Sequence, residues 1–145
     1  MRIKIDLDSL AYEQLFERIC KVRCKGLQQS STEWIFIVPM GKAGKAIGKG
    51  AENIKKLQST LSSKNSQHQN LRIKIVEFHP NIKIFIKNLI SPLQVETISV
   101  FEKGVKVSDS SKKTKSLLIG REGRNLTLLN RAVKRFFPVN EVKVE

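Results

Sequence analysis

Acidic residues are scarce in this 145-residue chain: 13 Asp and Glu face 27 Lys and Arg, a net charge of +14. Such a surplus attracts polyanions and favours fast, salt-sensitive association; the bland alternative is a charge bias kept for solubility. Cysteine is nearly missing too. Cys20 and Cys24 stand four apart, and the only histidines, His68 and His79, lie far from them in sequence. Zinc wants about four ligands, so no metal or cofactor is expected, and both thiols read as structural. Nothing demands an oxidising compartment. Aromatics make up 6% of the chain; Trp34, Phe36, Phe136 and Phe137 fall at core-like positions, and Tyr12 and Phe101 read as structural too. A stacking platform of aromatic rings is therefore not expected. No apolar run approaches the ~20 residues that span a bilayer. The opening "MRIKIDLDSL" lacks the apolar core of a secretory signal, so no membrane partner and a cytoplasmic location are expected.

What is present is periodic hydrophobicity, enough for a core. Arg2 to Asp6 alternates as a strand. Asp8 or Ser9 caps a helix carrying Tyr12, Leu15, Phe16 and Ile19 on one face. Val22 to Gln28 reads as a strand and "QQSST" as its turn. "EWIFIVP" reads as a strand buried on both faces. A helix then presents Ile54, Leu57 and Leu61, followed by a polar loop from Ser62 to Asn70 and the strand "LRIKIVEF". His79-Pro80 opens a helix with Ile82, Phe85, Ile86 and Leu89. Strands "VETISVF" and "GVKVS" lead to a helix capped by Asp109 or Ser110. A longer helix carrying Leu126, Leu129, Val133, Phe136 and Phe137 comes next, and "NEVKVE" closes the chain.

The same order thus occurs twice. "AIGKGAENIKKL" (Ala46 to Leu57) and "LIGREGRNLTLL" (Leu118 to Leu129) match at a constant offset of 72. Ile47 pairs with Ile119, Gly48 with Gly120, Asn53 with Asn125 and Leu57 with Leu129. An internal duplication is the economical account. In each copy a short glycine-bearing loop between two helices exposes backbone amides at the positive end of the second helix, which suits an anion.

A nucleotide-hydrolysing loop of the G-x-x-x-x-G-K-[ST] type fails twice here, with Ala43 for the first glycine and Gly50 for the hydroxyl. No acid–base or nucleophile set is visible, so an enzyme is not expected. Gly41-Lys42-Ala43-Gly44 is also a GxxG by letter. Two residues after Val38 leave no room for a preceding helix, and its counterparts Lys113 and Ser116 are not glycines. The anion expected is a polynucleotide backbone.

"IGREGRNL" resembles the I-G-x-x-G-x-x-[IL] signature of K-homology (KH) domains, whose GxxG loop clamps about four nucleotides of single strand. The order of elements resembles the prokaryotic, type II form. Two such domains in tandem, joined through "FIKNLISP", resemble the short archaeal NusA family of transcription elongation and termination factors. The resemblance implies an α+β fold of two type II KH domains, residues 1–78 and 79–145, each a three-stranded sheet packed on helices. It implies single-stranded RNA as partner and a role in elongation, pausing, termination or antitermination. A ribosome-associated or RNA-processing role, or a basic module docking an acidic protein, are the alternatives. RNA polymerase or the nascent transcript complex is a further candidate partner. The bacterial relatives' polymerase-binding and S1 domains have no room here, so that contact does not carry over. A monomer is expected, with a short linker around Ser91-Pro92 holding one relative orientation.

The RNA-binding residues so implied are Gly48, Lys49, Gly50 and Ala51 in the first loop and Gly120, Arg121, Glu122 and Gly123 in the second. Lys45, Lys55 and Lys56, with Lys42, surround the first; Lys115, Arg124, Asn125 and Arg131 surround the second. Ile47, Ile54, Ile119 and Leu126 would line an apolar groove for bases. Two departures stand out. Ala51 replaces the closing glycine, where a left-handed residue costs roughly 1–2 kcal/mol; either it avoids that conformation or the first clamp is distorted. Glu122 puts a negative charge into the second loop.

Overall fold

A computed structural model describes residues 7–64 and 68–145. The strand expected at Arg2 to Asp6 lies outside them. The chain divides into two compact units, Met1–Phe78 and His79–Glu145. The first runs α1 (Leu7–Cys20), β1 (Gly26–Gln29), β2 (Glu33–Val38), α2 (Ala43–Ile47), α3 (Glu52–Lys64) and β3 (Arg72–Glu77). The second repeats the order as α4 (Ile82–Ile90), β4 (Thr97–Val100), β5 (Gly104–Ser108), α5 (Lys112–Ile119), α6 (Arg124–Phe136) and β6 (Glu141–Val144).

Each unit is α+β, with a three-stranded sheet in sequence order. The central strand pairs antiparallel with its predecessor (Gln28 with Ile35; Ser99 with Lys106) and parallel with its successor (Ile35 with Lys74; Lys106 with Lys143). A parallel pair needs a crossover. Here the crossover is the two-helix segment that carries the glycine loop, so the sheet fixes where that loop begins and ends.

In the first unit Leu15, Phe16 and Cys20 of α1 meet Trp34, Phe36 and Val38 of β2, Ala46 of α2, and Leu57 and Leu61 of α3. Phe16 lies stacked on Phe36 at 4.5 Å between centroids, and Tyr12 lies tilted against Trp34 at 4.6 Å. Ile35 and Ile37, on the other face of β2, are buried as well, in keeping with that strand's uninterrupted apolar run. In the second unit Phe85, Ile86 and Leu89 of α4, Val105 and Val107 of β5, and Leu128, Leu129, Ala132 and Val133 of α6 are buried. Asn130 ties α6 to β6: its side-chain oxygen accepts from the Val142 amide at 2.7 Å and its nitrogen donates to the Val142 carbonyl at 3.0 Å.

Several boundaries differ from the sequence reading, each for a local reason. Asp8 and Ser9 lie inside α1. Strand β1 starts only at Gly26, because the chain leaves α1 through Lys21 at φ +60°. Pro80 precedes the cap of α4, which is Asn81, accepting from the Lys83 and Ile84 amides. Helix α5 is capped by Ser111, accepting from Thr114; Asp109 instead accepts from the amides of Glu96 and Ser111. Helix α3 runs on to Lys64, into the expected loop. "FIKNLISP" is no linker: it lies within the second unit, mostly in α4, with Ser91-Pro92 as a cis bond after it.

Both thiols are packed away. Burial pushes the Cys20 thiol from 9.0 up to about 11. Burial, and then the Glu13 carboxylate, pushes Cys24 up to about 12. The thiolate is the reactive form, so the native protein should alkylate slowly at pH 8 and react promptly at both cysteines in denaturant, as read by mass spectrometry. Rapid modification of the native chain would contradict the burial. The folded state holds these protons more tightly than the unfolded one, so their contribution to stability is complete below about pH 9 and falls as pH rises above it.

Candidate nucleic-acid interface

The sequence places a residue without a side chain where the chain leaves the first helix of each pair. Gly48 has φ 80° and ψ 167°, and Gly120 has φ 76° and ψ 172°, a region essentially restricted to glycine. The chain then forms a single tight turn, Lys49–Ala51 or Arg121–Gly123, before α3 or α6 begins. Two residues in each turn are left-handed: Gly50 and Ala51 at φ 63° and 60°, Glu122 and Gly123 at φ 57° and 73°. Ala51 therefore neither avoids the left-handed conformation nor distorts the loop. Each copy fills one of the two positions with glycine and the other with a strained residue, in opposite order. The strain falls on both loops, through Ala51 in one and Glu122 in the other.

An asparagine locks each turn. Asn53 donates to the Lys45 carbonyl at 3.2 Å, and Asn125 donates to the Leu117 carbonyl at 2.8 Å. Asn125 thus bridges the loop's two helices through its side-chain amide. The amides of Ala51 and Gly123 close onto the carbonyls of Gly48 and Gly120. Among the described residues, no backbone hydrogen bond uses the amides of Lys49 and Gly50, or of Arg121 and Glu122. These donors sit at exposed positions beside the positive end of a helix, the arrangement that receives a phosphate oxygen. Gly41-Lys42-Ala43-Gly44 leads into α2 and is not a loop between helices; its Ala43 amide donates to the Glu77 carboxylate.

Around the first loop Lys42, Lys45, Lys49, Lys55 and Lys56 are all exposed. Around the second, Arg121 and Arg131 are exposed, and Lys115 and Arg124 half-buried. Arg124 reaches the Glu122 carboxylate at 3.7 Å, a surface pair worth little by itself but able to offset the loop's negative charge. The first loop has an acid too: Glu52 occupies the first turn of α3, whereas α6 has none in its first turn. Ile47, Ile54 and Leu126 are half-buried, and Ile119 is exposed along with its neighbour Leu117. Phe101 is a correction. Rather than packing inside, it is 52% exposed beyond β4, with the Lys106 ammonium 5.1 Å from its ring centre. Its place at a hairpin end, next to Glu102, Lys103 and Gly104, was the available signal.

Relief of the strain at Ala51 is measurable. Ala51→Gly should raise stability by about 1 kcal/mol, the left-handed penalty less the added freedom of glycine in the unfolded chain. A lower urea midpoint would contradict this.

Among the described residues no group of three or more metal-binding side chains occurs, and no helix is long and apolar enough to cross a membrane. No family model matches the chain. It is similar to proteins named "Probable transcription termination protein NusA": 27% identical to that of Methanococcus vannielii, over 99% of this chain and 80% of the relative. That of Methanocaldococcus jannaschii is 26% identical over 99% and 75%, and that of Thermoplasma acidophilum 25% over 99% and 96%. A solved structure, titled "Crystal structure of APE1850", superposes with a TM-score of 0.74 at 28% identity, covering 97% of this chain and all of that one. In sequence over nearly its whole length the chain is similar to archaeal NusA proteins, and its fold is that of two tandem KH-like domains.

Proposed function

We propose that each unit captures the backbone of single-stranded RNA, and that the protein acts through this contact in transcription elongation or termination; its relatives are named for termination. The observation that carries the reading is the pair of loops with matching backbone torsions, each presenting exposed amides among lysine or arginine side chains. Phosphate oxygens would take the amides of Lys49 and Gly50 or of Arg121 and Glu122. Lys45, Lys55, Lys56, Lys115 and Arg124 would steer and hold the backbone. Ile47, Ile54, Ile119 and Leu126 would offer the bases an apolar edge. Asn53 and Asn125 serve as braces of the loops. Work on a nascent transcript places the protein in the cytoplasm, beside the transcription machinery, with no catalytic step of its own.

The test is fluorescence anisotropy with labelled single-stranded RNA, duplex RNA and single-stranded DNA across a salt series. In the variant Lys49→Asp/Gly50→Asp/Arg121→Asp, single-stranded RNA should bind about a hundredfold more weakly, since hydrogen bonds to a charged group contribute about 1.5–3 kcal/mol each. Equal, salt-driven binding of all three nucleic acids, unmoved by the variant, would refute the reading and turn attention to an acidic protein partner.

A further inference from the structure

Helix α6 carries four cationic side chains, Arg124, Arg131, Lys134 and Arg135. Its buried side is Leu128, Leu129, Ala132 and Val133. Arg131 and Lys134 lie on the side away from it and Arg124 and Arg135 flank it beside Leu128, the four falling within an arc of about 100° at 3.6 residues per turn. Arg131, Lys134 and Arg135 are exposed, and the helix contains no acidic residue. Arg131 has like-charged neighbours three and four residues on, Lys134 and Arg135, an arrangement that destabilises a helix. Lys134 and Arg135 complement the negative end of the helix dipole, but Arg124 sits at the positive end, where a cation is unfavourable. That end also has no side-chain cap. A solvated face would ordinarily mix the signs. The duplicated partner differs: at the offset of 72, α3 has Glu52, Ser59, Ser62 and Ser63.

We infer that this ridge is a phosphate track peculiar to the second unit, along which an RNA strand gripped at Gly120–Gly123 continues past the loop. From Arg124 to Arg135 it extends about 16 Å at 1.5 Å per residue, room for several phosphates beyond the clamp. The ridge makes the second unit the longer reader of the two. It rests on the RNA capture proposed above and adds to it a direction and a footprint.

The experiment compares the full chain with Lys134→Gln/Arg135→Gln, using labelled single-stranded RNAs of 5 and 15 nucleotides over a salt series. Two lost contacts on a single strand should lower the salt slope for the longer RNA by about 1.4 and weaken its binding, leaving the 5-nucleotide RNA unchanged. An unchanged slope for the longer RNA, with the loop variant still weakening binding, would overturn the track and leave the loop reading intact. Equal weakening of both RNAs would overturn it as well, since that marks a general field rather than a path. Indifference of both RNAs to the loop variant would bring down the capture reading and the track together. An unaltered thermal transition of the double variant checks that the fold is not the cause.

Discussion

Gly120→Ala should destabilise the second unit by about 3 kcal/mol, the sum of a backbone term of about 1–3 kcal/mol and the disturbance of a hydrogen bond at about 1 kcal/mol. Gly120 combines φ 76° with ψ 172°, which no side-chain-bearing residue adopts readily. A methyl group there would also stand 2.7 Å from Asn125 Cγ and 2.8 Å from Nδ2. Asn125 must then move, and its 2.8 Å bond to the Leu117 carbonyl stretches or breaks. Gly48→Ala meets Asn53 at 2.9 Å and the flexible Glu52 side chain at 3.0 Å, and the Asn53 bond is the longer one, at 3.2 Å. It should destabilise somewhat less. Gly50→Ala meets open space and suffers only from its φ of 63°, so about 1 kcal/mol is expected. The order Gly120, Gly48, Gly50 can be read from urea midpoints by far-UV circular dichroism. A neutral Gly120→Ala would mean that the turn relaxes. Added Asn125→Ala should make the combination less than additive, because the clash and the lost bond share one partner.

Phe16→Ala should remove about 3–5 kcal/mol from the first unit. Phe16 is fully buried and stacked on Phe36 with an interplanar angle of 10°, so its loss opens a cavity between α1 and β2 that the remaining side chains cannot close. Small domains have little stability in reserve, and a loss of this size leaves much of the unit unfolded. Trp34 reports it directly. It is the chain's one tryptophan, 4% exposed, packed against Tyr12 and His68. A red shift of its emission in buffer, with a lower urea midpoint, is the expected outcome. Phe16→Leu should keep most of the stability. An unshifted emission with Phe16→Ala would show that α1 is not needed to close this core.

Much of the architecture was legible because it rests on local rules. Strand β2 announced itself by its apolar run, and α1, α4 and α6 by apolar residues at helical spacing. The repeat at an offset of 72 revealed the two glycine loops through a handful of positions, since a turn that only glycine can make leaves its mark in the sequence. Charge was legible too, because it is a count.

Other features depended on neighbours distant in the chain. Whether α5 would be capped by Asp109, Ser110 or Ser111 turned on Glu96, whose amide engages Asp109. Phe101 reads as structural because aromatic character alone does not say which residues end up at a hairpin tip. That Asn125 braces its loop depends on the turn that brings it against the Leu117 carbonyl. The sequence by itself determined the duplication, the loops, the charge and the pattern of strands and helices, because torsional preference and hydrophobic period act over a few residues. Only the tertiary structure decided that Ala51 and Glu122 are each left-handed in the turn of their own loop, and that an asparagine braces each turn. Those outcomes depend on which atoms the folded chain places within a few ångströms of one another.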